Sequence, residues 1–185
     1  MTPLFDAHNH LQDHRLDAIR DEVCEALPQQ GLVEAVVAGS DESDWPEVAE
    51  LALRYSWIKP SFGLHPWYVK QRGVAWKEQL ATWVHAFPNA GVGEIGLDRW
   101  IKDPDVEAQV ECFRWQLALA ATLNRPASIH CLRAWGMMDE VLRSSPRPDR
   151  GFLLHSYGGP SEMVEGFVKL GAYFSLSPYF AHERK

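Results

Sequence analysis

The sequence predicts an α/β protein whose parallel sheet curls into a (β/α)8 barrel, with about seven of the eight strands lying within its 185 residues. Three observations predict it. Short apolar runs alternate with amphipathic stretches along the whole chain, the pattern of right-handed strand–helix–strand crossovers. No G-x-G-x-x-G follows the first run, so the dinucleotide-binding open sheet has no support. Polar residues gather at the C-terminal ends of the runs, the edge on which a TIM-type barrel assembles its site.

The strand candidates are 4–7, 32–38, 58–64, 91–97, 127–131, 152–155 and 172–176. Most are compact apolar runs, as expected where both faces of a parallel sheet are covered. Between them Ile19, Val23, Ala26 and Leu27 recur at helical spacing, with Gly31 placed as a cap after the last turn. Pro46 opens a second helix, where a missing N–H costs little. Trp76, Leu80, Val84 and Phe87 mark a third. The fourth and longest follows Val106, Val110, Phe113, Leu117 and Ala121, and closes at Asn124 before Pro126. Met137 to Leu142 and Met163 to Leu170 give the last two, and the Pro-rich piece 144–150 reads as one loop.

Hydrophobic residues at 46% and charged residues at 23% exclude a disordered or fibrous chain. The expectation is one domain over residues 1–185. A net charge of -7 argues against a dedicated nucleic-acid-binding module, which shows a basic face. It does not exclude a nucleic-acid substrate, because bound divalent cations can dominate the local field. Cys24, Cys112 and Cys131 are odd in number and widely spaced, which suits a reducing compartment. The N-terminus carries no basic and apolar leader, and no stretch approaches the roughly 18 apolar residues of a membrane span. A cytoplasmic location is expected, with no membrane association and no obligate protein partner.

Chemistry concentrates at the strand ends. His8 and His10 follow the first run at i, i+2, so their imidazoles project to one side of an extended segment. His65 follows the third, Glu94 sits in the fourth between glycine-containing segments, and His130 and His155 end the fifth and sixth. A single histidine beside a strand is ordinarily a satisfied core or surface residue. Five of the eight histidines on one predicted edge, with a carboxylate, form a set suited to Zn²⁺, Mn²⁺ and similar ions.

The ordered segments Asp6-Ala7-His8-Asn9-His10-Leu11, Gly63-Leu64-His65-Pro66, Val92-Gly93-Glu94-Ile95-Gly96-Leu97-Asp98, Ile129-His130-Cys131 and Leu154-His155-Ser156-Tyr157-Gly158-Gly159 resemble the TatD family of metal-dependent hydrolases, a branch of the amidohydrolase-like barrels. The likeness runs over essentially the whole chain. It implies two divalent ions (Zn²⁺, Mg²⁺ or Mn²⁺), His8 and His10 holding the first, His130 and His155 the second, and Glu94 bridging. It places His65 at the substrate's phosphate or leaving group, so Glu94 and His65 are the expected catalytic residues. Arg99 and Arg133 are expected, with His65, to contact non-bridging oxygens. The chain departs from the family pattern at Asn9, at Arg133 and at Trp100, all around the expected pocket.

The resemblance also implies an eighth strand followed by a Thr-Asp pair whose aspartate is a metal ligand. No residue after the seventh run fills that role; His182, in Ala-His-Glu-Arg-Lys, reads as an exposed helix start. The expectation is therefore a chain lacking its C-terminal segment. The function implied is a deoxyribonuclease or other phosphodiesterase using a metal-activated water. The residue chemistry also allows hydrolysis of a non-nucleic-acid ester or amide, or a degenerate metal-binding scaffold without turnover.

Overall fold

The computed structural model describes residues 2–177, so His182 lies outside the described residues. Seven strands alternate with six helices: β1 (Leu4–Asn9), α1 (Arg20–Gln29), β2 (Leu32–Ala38), α2 (Trp45–Arg54), β3 (Ile58–Phe62), α3 (Trp76–Ala86), β4 (Gly91–Asp98), α4 (Val106–Thr122), β5 (Ala127–Leu132), α5 (Trp135–Ser144), β6 (Phe152–Leu154), α6 (Val164–Lys169) and β7 (Ala172–Phe174). The strands pair in chain order from β1 to β7, and all six pairings are parallel. This is the strand order of a TIM-type barrel, an arc with one strand fewer than eight among the described residues.

The local signals explain most boundaries. Gly31 takes φ 96° just after α1, and its N–H bonds the carbonyl of Pro28 (3.0 Å), closing the last turn. Pro46 stands in the first turn of α2. The carboxylate of Asp105 caps α4 by accepting from the Ala108 N–H (3.0 Å), and Asn124, at φ 45°, ends it.

Every residue of the central strand β4 is buried, as a strand covered on both faces must be. The core around it holds the fully buried Trp45, Phe62, Phe113 and Phe152. The edges differ. Phe5 of β1 and Tyr173 of β7 are exposed, and the concave side between them leaves a cavity of about 700 Å³ at the N-terminal ends of the strands.

Strand β3 is shorter than its apolar run suggests. It ends at Phe62, because Gly63–Pro66 leaves the ladder and the His65 N–H bonds the Ser40 carbonyl (2.8 Å). A side chain at Gly63 would put its Cβ 2.6 Å from the Gly93 carbonyl carbon, so only glycine lets this turn lie on β4. Gly96 does the same between β4 and β5. It has φ 140°, and a Cβ there would lie 2.0 Å from the carbonyl oxygen of His130.

Candidate metal centre

Glu94, 3% exposed, is the hub. Its two carboxylate oxygens face different imidazoles. Oε2 lies 3.3 Å from His8 Nε2 and 3.1 Å from His10 Nε2. Oε1 lies 3.0 Å from His130 Nδ1, 2.6 Å from His155 Nε2 and 3.3 Å from His65 Nε2. The five histidines and the glutamate expected at the strand ends are therefore brought together around one buried carboxylate.

The donor set fits divalent ions. Nitrogen and oxygen ligands about 2.0–2.2 Å from one ion stand about 3.0–3.4 Å from each other. His8 Nε2, His10 Nε2 and Glu94 Oε2 form a triangle, His8 and His10 being 3.3 Å apart. Two overlapping sets, His8–Glu94–His155 and His65–Glu94–His130, each gather three ligand atoms within 4.8 Å of one another.

Outer partners decide which ring nitrogen is free. The Ala38 carbonyl can only accept, so His10 Nδ1 at 2.8 Å carries a proton, and Nε2, facing Glu94, is the nitrogen that would give up its own proton to an ion. The Asp98 carboxylate, 3.0 Å from His130 Nε2, does the same for that ring and turns Nδ1 toward Glu94. Ser128 Oγ holds His8 Nδ1 at 2.7 Å. His65 is the opposite case. Its Nδ1 accepts the Trp67 backbone N–H (3.2 Å), so the proton sits on Nε2, which then donates toward Glu94. That tautomer suits a hydrogen-bond donor rather than a ligand.

The charges follow from these contacts. Burial works to raise the Glu94 carboxyl, but hydrogen bonds from His10, His130, His155 and His65 hold it well below the usual carboxylate range. Burial opposes charge on His130, yet Asp98 and Glu94 outweigh it and lift its pKa to about 9. Asp98 is brought down to about 2, because His130, the Trp67 indole and the Trp100 amide overcome its burial. For His8 and His65 burial prevails and both are lowered.

The centre lines a cleft of about 710 Å³. One wall, from the loops after β1 and β2, is acidic: five carboxylates from Asp13 to Glu47 stand against the guanidinium groups of Arg15 and Arg20. Trp67 and Tyr68 come from the loop after β3. The structure does not bring Arg99 or Arg133 to this cleft. Both are exposed, and the Arg133 guanidinium lies 5.0 Å over the Trp100 ring.

Sequence reasoning assigned no role to Asp98, Ser128 or Trp67. For Asp98 a signal existed, since it stands four residues after Glu94 on one strand and alternation puts both on one side. Ser128 carries no such mark; its proximity to His8 arises only from the curl of the sheet.

A family model, TatD related DNase, matches residues 5–185. The chain belongs to the TatD family. Among TatD relatives, YabD of Bacillus subtilis, named an uncharacterized metal-dependent hydrolase, is 30% identical over 177 residues, covering 94% of this chain and 68% of that protein. TatD of Escherichia coli K12, named a 3'-5' ssDNA/RNA exonuclease, is 26% identical over 182 residues, covering 98% and 70%. The crystal structure of YjjV, a TatD homologue of E. coli K12, superposes with a TM-score of 0.85 at 26% identity, covering 92% of this chain and 66% of that one. The chain thus spans about two thirds of the length of its TatD relatives. As a TatD protein it is a metal-dependent hydrolase by family, and no helix among the described residues is long and apolar enough to cross a membrane.

Proposed function

We propose that the chain is a divalent-metal-dependent phosphodiesterase acting on nucleic acid, with DNA as the substrate and two ions, Zn²⁺, Mg²⁺ or Mn²⁺, at its centre. The observation that carries this reading is the division of five imidazoles between the two oxygens of Glu94. His8 and His10 would hold one ion, His130 and His155 the other, with Glu94 bridging. Ions bound there supply Lewis acidity and lower the pKa of water toward neutrality.

The chain's own groups do the rest. Glu94 stays ionised and compensates the positive charge of the site. His65, kept neutral by burial and protonated on Nε2, is placed to donate a hydrogen bond to a phosphate oxygen. Arg99 and Arg133, exposed on the loops after β4 and β5, would meet phosphates outside the cleft. The nuclease name of the E. coli relative supports a phosphodiester substrate. We further read residues 1–185 as belonging to one barrel domain, and the three unpaired thiols as those of a cytoplasmic protein.

The test is hydrolysis of labelled single-stranded DNA by protein stripped with EDTA and reloaded with each ion in turn, beside a His8→Ala/His10→Ala control. Activity is expected only after reloading, and undiminished activity in the double variant overturns the reading. One observation favours a second reading, a metal-binding scaffold without turnover. Among the described residues Glu94 is the only carboxylate in the donor sets, while Asp98 is committed to His130, Trp67 and Trp100. Bound metal with no turnover on nucleic acid would establish that reading; turnover of a carboxylic ester or amide alone would point to a different hydrolase.

A further inference from the structure

Trp67 stands out at the mouth of the cleft. It is 51% exposed, yet it is held at two points. Its backbone N–H donates to His65 Nδ1 (3.2 Å), and its indole Nε1–H donates to Asp98 Oδ2 (2.6 Å). The Asp98 oxygen that accepts from the indole also accepts from His130 Nε2 (3.0 Å). The ring packs edge-on against His65, with centroids 5.2 Å apart and planes at 88°. With its edge tied inward, the exposed part of Trp67 is a preset aromatic surface beside the centre.

A second exposed tryptophan is attached to the same carboxylate. Asp98 Oδ1 accepts the Trp100 backbone N–H (2.7 Å), and Trp100, 62% exposed, carries the Arg133 guanidinium over its ring. The two walls of the site therefore differ in kind. Inside the cleft the segments after β1 and β2 present five carboxylates beside Arg15 and Arg20, while the loop after β3 presents Trp67; Trp100 and Arg133, on the loops after β4 and β5, stand outside it. The excess of carboxylates on the first wall disfavours a polyanion there and leaves the Trp67 side as the path of lower repulsion.

We propose that Trp67 is a base-stacking platform that seats an unpaired nucleobase next to the metal centre, making the site selective for single-stranded nucleic acid with bases, and that Trp100 with Arg133 continues the track outward. This rests on the reading of the site as a nucleic-acid phosphodiesterase. Base–aromatic stacking is indifferent to sequence, because every base has a π-face, and requires that the base be unpaired. Trp67 is a specificity residue here and takes no part in bond breaking.

The experiment compares the wild-type protein with Trp67→Ala and Trp67→Phe on two fluorescein-labelled probes, a six-residue oligothymidylate and the same backbone with abasic sites. Binding is read by anisotropy without divalent ions and cleavage by KM and kcat with Mn²⁺. Wild-type protein is expected to bind the base-bearing probe about 5- to 150-fold more tightly than the abasic one, the range of one stacked base. In Trp67→Ala that ratio collapses toward one, with the loss in KM rather than kcat. Trp67→Phe, which keeps a ring but gives up the N–H to Asp98, retains most of the ratio. Equal binding of both probes by the wild type, or a ratio that survives in Trp67→Ala, overturns the proposal. So does equal loss in Trp67→Phe and Trp67→Ala, which would assign the effect to Asp98. A wild type that shows Trp67-dependent binding but cleaves neither probe supports the platform and overturns only the phosphodiesterase reading; one that cleaves both probes equally does the reverse.

Discussion

Asp98 and His130 face each other across adjacent strands, Oδ2 to Nε2 at 3.0 Å, and this one contact turns the other ring nitrogen to within 3.0 Å of Glu94. A carboxylate behind an imidazole fixes its tautomer and raises its basicity as a ligand. Asp98→Asn keeps the shape but can offer the ring either an acceptor or a donor. The expected result is a loss of about 10- to 100-fold in metal affinity, the usual cost of disturbing such a partner. Isothermal titration with Mn²⁺ measures it, and an affinity equal to wild type would contradict the assignment.

Glu94→Gln removes the charge that all five imidazoles share. A fall in metal affinity of more than about 100-fold is expected, beyond what an outer partner costs. Elemental analysis after dialysis reads the outcome, with far-ultraviolet circular dichroism to verify that the sheet is intact. Two equivalents of ion retained by a folded Glu94→Gln protein would refute the bridging role.

Metal affinity should rise with pH. In the ion-free protein His130 keeps its proton up to about pH 9, because Asp98 and Glu94 outweigh the effect of burial. An ion must displace that proton, so affinity climbs as pH approaches 9 and then levels, with at least one proton released on binding at pH 7. Titrations in buffers of different ionisation enthalpy count the protons. Affinity independent of pH between 6 and 9 would show that His130 already binds as the neutral ring.

The thiols should be silent. Burial pushes Cys112 to about 11 and Cys131 to about 12, and also raises Cys24. At pH 8 all three are protonated and enclosed, so a disulfide reagent such as DTNB should label none of them in the native protein and all three in guanidinium. Rapid native labelling would mean that one of the covering helices opens.

The candidate ligands were legible in the sequence because strand ends are. An apolar run followed by His or Glu marks both the strand and the edge, and β2 and the start of β4 fall where their runs predict. What surrounds the ligands was less legible. Ser128 meets His8 across 120 positions of chain, and Trp67 meets Asp98 across 31, through the curvature of the sheet rather than any local pattern. The length of β3 was misread for a similar reason: Gly63 and Leu64 continue an apolar run, but the His65 amide is claimed by Ser40 from the neighbouring loop. The tautomers are likewise a property of the assembled site. His10 and His65 are indistinguishable as letters, and only a carbonyl behind one and an amide behind the other give them opposite protons.

The hub at Glu94 draws its five imidazoles from four separate strand ends, the first at residue 8 and the last at residue 155. A centre of such high contact order cannot exist in part. It arises only once the sheet has zipped from β1 to β6, a topology that folds slowly because long loops must close before any ligand meets another. An ion bound there would act as a clamp on the last stage of folding: free ion at 100 times its Kd would add about 2.7 kcal/mol to stability. Fraying of β1, which carries His8 and His10, would dismantle the candidate centre while the central strands stay paired.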